Sequence, residues 1–187
     1  PPYLKVDAPA GTVIGIQTDH YDDGKGLVGI DQNTIFNVRA TYVCAGGVQE
    51  FESLGWMSGT AVRYTIPSGV TILDLKYRES GYDTDFAGSF TSDDAFLDTV
   101  WTKAARTMYV NMRDNYMDCP TRERSQWWGD VVNQLKEGFY TFDTRSHALG
   151  AKAISQLASW QKPGGALYSP VPSTIWTAEL PVQMLAS

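Results

Sequence analysis

Apolar and polar residues alternate with a period of two in the first half of the chain, which is the pattern of half-buried β-strands. The alternation runs through residues 35–44, 62–66 and 73–78, and a further short strand is predicted at residues 13–17. Turn-forming sequences rich in glycine and proline separate these segments. Several short strands joined by such turns predict a portion of an antiparallel β-sandwich over residues 1–85.

Beyond residue 85 the apolar period lengthens to 3.6, which is the period of an amphipathic helix. Ser92 is predicted to cap a first helix, and Trp101 belongs to its apolar stripe and is predicted to lie in the core. Further helices are predicted at residues 120–139, at residues 144–160 and from residue 174 onwards, where the last is interpreted as a helix cut short at residue 187.

Composition narrows the class of protein. A length of 187 residues, with 43% hydrophobic and 19% charged residues, is ordinary for a soluble globular protein of one or two domains. A net charge of −6 without any basic run argues against nucleic acid and anionic membranes as partners. No apolar stretch approaches the length of a membrane span, and no signal peptide stands at Pro1. The compartment stays open, and a periplasmic or extracellular location is preferred to a cytoplasmic one.

Candidate chemistry is concentrated in residues 111–134, NMRDNYMDCPTRERSQWWGDVVNQ, which combine carboxylates, arginines and a tryptophan pair. If a helix begins at Pro120, then Glu123, Trp127 and Asp130 fall at i, i+4 and i+7 on one face. Carboxylates bind sugar hydroxyls through charge-assisted hydrogen bonds, and an indole covers the apolar face of a sugar ring. The helix face therefore fits a carbohydrate site.

A structural role explains the same residues equally well. In that interpretation Asp118 caps the start of the helix, the charges form surface ion pairs and the tryptophans pack in the core. Residue types alone favour neither interpretation. The two cysteines, Cys44 and Cys119, form no metal-binding motif and need not pair.

The segment DCPTRERSQWWGD, residues 118–130, resembles the signature of glycoside hydrolase family 78, the bacterial α-L-rhamnosidases. By that resemblance Glu123 is the general acid. The resemblance also implies substrate-binding roles for Asp118, Arg122, Trp127, Asp130 and Trp176, although packing explains Trp176 equally well. Two positions depart from the family's common pattern, Gln126 in place of glycine and Trp128 in place of a small polar residue, and these affect the shape of the pocket.

The resemblance further implies the end of a β-sandwich over residues 1–85 and, over residues 86–187, the truncated N-terminal part of an (α/α)₆ six-hairpin catalytic barrel. The family is inverting, and its general base is a glutamate that would lie beyond Ser187. Little or no hydrolysis is therefore expected from this chain alone. The pKa of Glu123 is predicted to be raised by burial against Trp127 and by repulsion from nearby aspartates.

The predicted partner is a rhamnose-containing carbohydrate, and uncovered apolar helix faces predict self-association. No nucleotide loop, metal-ligand set or nucleophile–histidine arrangement is visible, so no cofactor and no metal are predicted. Two alternatives stay open. One is a non-catalytic carbohydrate-binding or assembly module that uses the sandwich, and the other is a different six-hairpin glycosidase or lyase.

Overall fold

A computed structural model of the chain describes residues 1–19, 38–59, 61–120 and 123–172. The chain divides into two compact units, one from Pro1 to Ser80 and one that begins at Gly81. The first unit is built from β-strands and the second from α-helices, so the fold is mixed, as the change of hydrophobic period predicts.

The described residues of the first unit contain six strands: β1 (Pro2–Ala8), β2 (Val13–Asp19), β3 (Val38–Val43), β4 (Gly47–Glu52), β5 (Ala61–Thr65) and β6 (Thr71–Tyr77). They pair in two three-stranded sheets with the strand orders β4-β1-β6 and β3-β2-β5. Every pairing is antiparallel. The predicted antiparallel sandwich is confirmed.

One apolar core is shared by the two central strands of these sheets. Leu4, Val6 and Ala8 alternate along β1 and are buried, and Ile14 and Ile16 of β2 are buried in the same cluster. Because successive strand residues point to opposite faces, this spacing commits one face of each strand to the core. The side chains that hold the two sheets together are therefore every second residue of each central strand.

Two strands, β1 and β4, are not among those predicted from the sequence. The alternation of Leu4, Val6 and Ala8 carried a signal, but it follows two prolines, which are rare inside strands. β4 has only Val48 and Phe51 as large apolar residues, so its strand conformation is specified by pairing with β1. Of the strand predicted at 35–44, residues 35–37 lie outside the described part of the chain.

Helix α1 spans Ala95–Val110, and its N-cap is Asp94, whose Oδ1 accepts a hydrogen bond from the backbone N–H of Phe96 at 2.8 Å. The prediction of Ser92 as the cap is wrong by two residues. The backbone N–H of Ser92 donates instead to Asp98 Oδ1 at 2.8 Å. That bond places Ser92 ahead of the helix, where it fixes the entering chain to the first turn.

Helices α2 (Trp128–Thr141) and α3 (Ser146–Ser159) follow, and the second unit has its core around them. The buried cluster consists of Met108, Met112, Tyr116, Trp128, Val131, Val132, Phe142, Leu149, Ala153, Leu157 and Val171. α3 lies within the predicted range, whereas α2 begins eight residues after Pro120. The helix that was predicted from residue 174 lies outside the described residues.

Large apolar side chains remain exposed on the helices. On α1, Phe96 is 69% exposed and Val100 45%, and on α2 Phe139 is 65% exposed. Trp101, predicted as core, is only half-buried and stacks on Phe90 with ring centroids 5.6 Å apart. Self-association through these faces stays a prediction. Within the described ranges, the helices are all too short or too polar to cross a bilayer.

The segment before α1 is bonded to the last residue of α2 and to the turn that follows it. The backbone N–H groups of Ala87 and Gly88 both donate to the carbonyl of Thr141, at 3.1 and 3.0 Å. Arg145 adds ion pairs to Asp83, Asp85 and Asp143. The hydrogen bond from Arg145 is the main reason that the pKa of Asp143 falls to about 2.

The substitution Gly88→Ala is expected to break this fastening. A Cβ at position 88 would lie 1.7 Å from the carbonyl oxygen of Tyr140, which is backbone and has little freedom to move. Overpacking of this kind is expected to lower the free energy of unfolding by about 1–3 kcal/mol. Urea denaturation measures this change. Gly164→Ala is the matched control, because a Cβ there meets no atom within 4 Å. Equal midpoints for both variants would contradict the expectation.

Candidate active site

Hydrogen bonds between Asp118 and Ser125 close a loop ahead of α2. Its described residues, 118–120 and 123–125, are not helical, so the prediction of a helix from Pro120 is wrong. The N–H of Asp118 donates to the carbonyl of Ser125 at 3.0 Å, and the N–H of Ser125 donates to Asp118 Oδ1 at 3.0 Å. Arg124 has a φ of 50°, in the left-handed region that a helix interior does not contain. Asp118 therefore closes the loop instead of capping α2, whose N-cap, Trp127, provides no side-chain cap bond.

Glu123 lies within this loop, and its carboxylate is bound by an indole. Trp127 Nε1 donates to Glu123 Oε2 at 2.6 Å, and both residues are partly buried. The hydroxyl of Ser125 donates to the carbonyl oxygen of Glu123 at 3.0 Å, which fixes the backbone on the other side. The two side chains that were predicted to share a helix face do meet, although a loop brings them together.

Asp118 and Asp130 share one electrostatic environment. Asp130 lies in the first turn of α2 and is exposed, yet its pKa is raised, first by desolvation and second by the negative charge of Asp118. A hydrogen bond with its own backbone opposes this rise. A carboxylate of this kind holds its proton to a higher pH than a free aspartate. The loop and the start of α2 thus bring two acidic side chains close enough to repel each other.

Three residues that the sequence analysis missed hold the loop in place. Gln134, buried on α2, donates through Nε2 to the carbonyl of Met117 at 2.8 Å, directly before Asp118. Ser169 accepts a hydrogen bond from the N–H of Trp128 at 3.0 Å, and Ser125 closes the loop as described above. A signal existed for Gln134 only, because it is a polar residue at a core position of an amphipathic helix.

Two of the predicted site residues, Arg122 and Trp176, lie outside the described residues, so their roles stay predictions. Among the residues that the structure does describe, no group of three or more histidine, cysteine, aspartate or glutamate side chains is arranged to hold a metal ion. The candidate site therefore consists of Glu123 with Trp127, and of Asp118 with Asp130.

Comparison with protein families decides where this arrangement belongs. The family model of the bacterial alpha-L-rhamnosidase 6 hairpin glycosidase domain matches residues 85–183, which is more than half of the 187 residues. The chain belongs to this rhamnosidase family. The matched range contains the loop with Glu123 and the described helices α1, α2 and α3.

Solved rhamnosidases share the fold of this family member. The GH78 rhamnosidase of Bacillus sp. GL1 is 23% identical with a TM-score of 0.72, over 99% of this chain and 19% of that one. The α-L-rhamnosidase from Dictyoglumus thermophilum is 19% identical with a TM-score of 0.75, over 99% and 21%. A rhamnosidase from Klebsiella oxytoca with rhamnose bound is 12% identical with a TM-score of 0.66, over 95% and 37%.

The rhamnosidase-family chain thus spans about a fifth of the length of the first two of these proteins. Comparison with curated proteins gives no match. The fold prediction is confirmed: the chain contains antiparallel sheets of a β-sandwich followed by the first helices of the six-hairpin barrel.

In this rhamnosidase-family chain, the substitution Asp118→Asn is expected to lower the pKa of Asp130 toward its ordinary value of 3.8. The amide removes the charge that repels ionised Asp130, while its oxygen still accepts the hydrogen bond from Ser125. An NMR titration of the Asp130 carboxyl carbon measures the change. Asp114→Asn, outside this pair, is the control. An unaltered Asp130 titration in Asp118→Asn would refute the proposed repulsion.

The raised pKa of Asp130 also fixes the sign of a stability effect. Because the folded-state pKa lies above the unfolded value, ionised Asp130 destabilises the folded state at neutral pH, and protonation removes this effect as the pH falls. Asp130→Asn is therefore expected to raise the unfolding midpoint at pH 7 and to leave it unchanged well below the ordinary pKa. Chemical denaturation at the two pH values tests this, and a gain confined to acid pH would contradict it.

Proposed function

We propose that this chain is part of an inverting α-L-rhamnosidase that releases terminal α-L-rhamnose, with Glu123 as the general acid. The observation that carries the proposal is the hydrogen bond of 2.6 Å from Trp127 Nε1 to Glu123 Oε2. It joins a carboxyl group to an indole in a loop of a rhamnosidase-family domain. Glycoside hydrolysis requires a carboxylic acid of this kind to protonate the leaving oxygen.

In this proposal the two oxygens of Glu123 have different tasks. Oε2 accepts the indole N–H and cannot also carry a proton toward Trp127, so the proton for the glycosidic oxygen is carried by Oε1. The new bond joins this proton to the leaving oxygen as the bond from that oxygen to the anomeric carbon breaks. Glu123 is then left as a carboxylate that accepts the indole N–H in a charge-assisted bond.

Inversion needs a second carboxylate roughly 6.5–9.5 Å from the acid, with a water molecule between them. We assign this base to a glutamate in a part of the protein beyond Ser187, and hence expect little hydrolysis from the 187 residues alone. Asp118 and Asp130 are proposed to bind rhamnose hydroxyls, since charged oxygens form the stronger hydrogen bonds to hydroxyl groups. Arg122, Trp127 and Trp176 are proposed to complete the sugar pocket.

A panel of aryl glycosides tests the activity in a protein that carries this chain within a complete six-hairpin domain. The nitrophenyl α-L-rhamnoside is expected to be cleaved with a kcat/KM well above that of every other sugar in the panel. NMR of the first product is expected to show the β-anomer of rhamnose, as inversion requires. Preference for another sugar, or an unsaturated product, would replace the proposal with a different six-hairpin glycosidase or a lyase.

The binding-module alternative is tested separately by titrating rhamnose into the chain and into residues 1–85. Affinity that requires the second unit supports the proposal, because the candidate residues all lie after Gly81. Affinity that stays with residues 1–85 would favour a carbohydrate-binding module in which the acidic loop is only structural.

A further inference from the structure

Helix α2 begins without a cap of its own. Its N-cap residue, Trp127, has an indole in place of the short polar side chain that usually accepts the first helical N–H groups, and it forms no side-chain cap bond. The N–H of Trp128, the first residue of the helix, nevertheless has an acceptor, because it donates to the hydroxyl oxygen of Ser169 at 3.0 Å. Ser169 therefore caps α2 from a segment 41 residues further along the chain.

The same segment also bonds the residue on the other side of Trp127. The N–H of Val171 donates to the carbonyl of Gln126 at 3.1 Å, in an isolated antiparallel bridge. Val171 is 2% exposed and belongs to the apolar core of the second unit, and Ser169 is buried beside it in sequence. The residues directly before and directly after Trp127 are thus both bonded to one buried segment, residues 169–171.

Trp127 connects this segment to Glu123. Its backbone lies between the two bonds, and its indole Nε1 donates to Glu123 Oε2 at 2.6 Å. The direction of an indole is set by the backbone that carries it and by two side-chain dihedral angles, so a backbone that is held on both sides limits where the indole N–H points. Along these bonds, the path from Ser169 to Glu123 runs through Trp128 and Trp127.

We propose that Ser169 is a positioning residue for the proton donor, because its bond to Trp128 holds the indole of Trp127 against Glu123. The inference rests on the proposed function for the role of Glu123, and it adds the residue that fixes the indole partner of the acid. Of the two bonds that flank Trp127, the one to Ser169 is formed by a side chain, so a single substitution removes it. A purely structural role would make Ser169 important for stability and leave the bond between Trp127 and Glu123 unchanged.

Removing the hydroxyl of Ser169 would take away the acceptor of a buried N–H. Trp128 is 1% exposed, so water has little access to replace the hydroxyl while the segment stays closed. A buried donor without a partner is costly. Local opening of residues 126–128 then becomes easier, since the closed form contains one hydrogen bond fewer.

Hydrogen exchange of the Trp127 indole N–H in the 187-residue chain tests the proposal without any hydrolysis. NMR identifies this signal by its absence in Trp127→Phe. In Ser169→Ala the exchange rate is expected to rise about threefold to tenfold, the effect of one hydrogen bond on local opening. Ser146→Ala is the matched control, because Ser146 is also buried and its hydroxyl donates to the carbonyl of Asp143 at 2.8 Å, at the start of α3 and not in the loop. An equal rise in both variants, or no rise in Ser169→Ala, would overturn the proposal.

A second variant keeps the test decisive if Ser169→Ala fails to fold. Ser169→Cys has a side chain of similar size, and its thiol is a weaker acceptor than a hydroxyl. Exchange of the Trp127 indole N–H is expected to speed up in this variant by a smaller factor than in Ser169→Ala. Unchanged exchange in folded Ser169→Cys would equally refute the role of Ser169.

In a protein with a complete six-hairpin domain, a double-mutant cycle extends the test to catalysis. A weaker indole bond stabilises the Glu123 carboxylate less, so Ser169→Ala is expected to move the basic limb of the kcat/KM profile to higher pH. In the Trp127→Phe background the same substitution is expected to leave the limb in place. Equal movement in both backgrounds would overturn the path through Trp127. Faster indole exchange in a protein that cleaves no rhamnoside would keep Ser169 as the anchor of the indole and refute the proposed function.

Discussion

Replacing Glu123 with glutamine is expected to lower kcat on an alkyl or glycosyl rhamnoside by about 10²- to 10⁴-fold in a protein with a complete six-hairpin domain, which is the usual contribution of a general acid. Glutamine keeps the size of the side chain and the oxygen that accepts the Trp127 N–H, and it removes only the transferable proton. Initial rates on substrates with leaving groups of graded pKa measure the effect.

The dependence on leaving group separates lost proton donation from a damaged fold. A dinitrophenyl rhamnoside needs no proton on its leaving oxygen, so Glu123→Gln should retain much more of its activity on this substrate. Glu137→Gln is the matched control, because Glu137 is exposed on α2 outside the loop and should leave both rates unchanged. Equal losses on both substrates would rule out the acid role of Glu123.

The second large effect is expected from Trp127→Phe. The indole N–H stabilises the ionised form of Glu123, and hydrogen bonds to charged groups contribute about 1.5–3 kcal/mol. Phenylalanine keeps an aromatic ring and removes this donor. Loss of this donor should therefore raise the pKa of Glu123. The basic limb of the kcat/KM profile should move to higher pH.

The same change at Trp101 provides the control, because this tryptophan of α1 stacks on Phe90, ahead of the helix, and takes no part in the loop. Trp101→Phe should leave the position of the basic limb unchanged. Trp127→Phe could instead weaken substrate binding at every pH and leave the basic limb of the kcat/KM profile in place. Trp127 would then act only as a surface for the sugar ring, and the proposed division of tasks between the two Glu123 oxygens would be wrong.

The hydrophobic period and the length of each sequence segment predict most of the fold. The alternation in 62–66 and 73–78 and the 3.6 period of residues 144–160 found strands and a helix that the structure contains. Segments without their own pattern were missed, and β4 is the clearest case, because pairing with β1 and not its own composition makes it a strand. Tertiary hydrogen bonding of this kind leaves no local trace in a sequence.

The candidate site was harder to predict than the fold. Residue types and order indicate Glu123 and Trp127 as candidates, but the helix predicted for them is wrong, because the hydrogen bonds of Asp118 override the preference of Pro120 for a first helical turn. Those bonds join Asp118 to a residue seven positions away. The left-handed backbone of Arg124 is equally invisible in the sequence, since arginine has no preference for it.

The reciprocal bonds between Asp118 and Ser125 have a consequence for how sugar affinity and turnover are related. One oxygen of Asp118 closes the loop that contains Glu123, and the same carboxylate is proposed to bind a rhamnose hydroxyl. A substrate that pulls on this carboxylate would also pull on the loop that contains the proposed proton donor, Glu123. Under these proposals, substrate binding and proton donation both depend on the side chain of Asp118. A substitution selected at position 118 for tighter sugar binding is therefore expected to change the turnover rate as well.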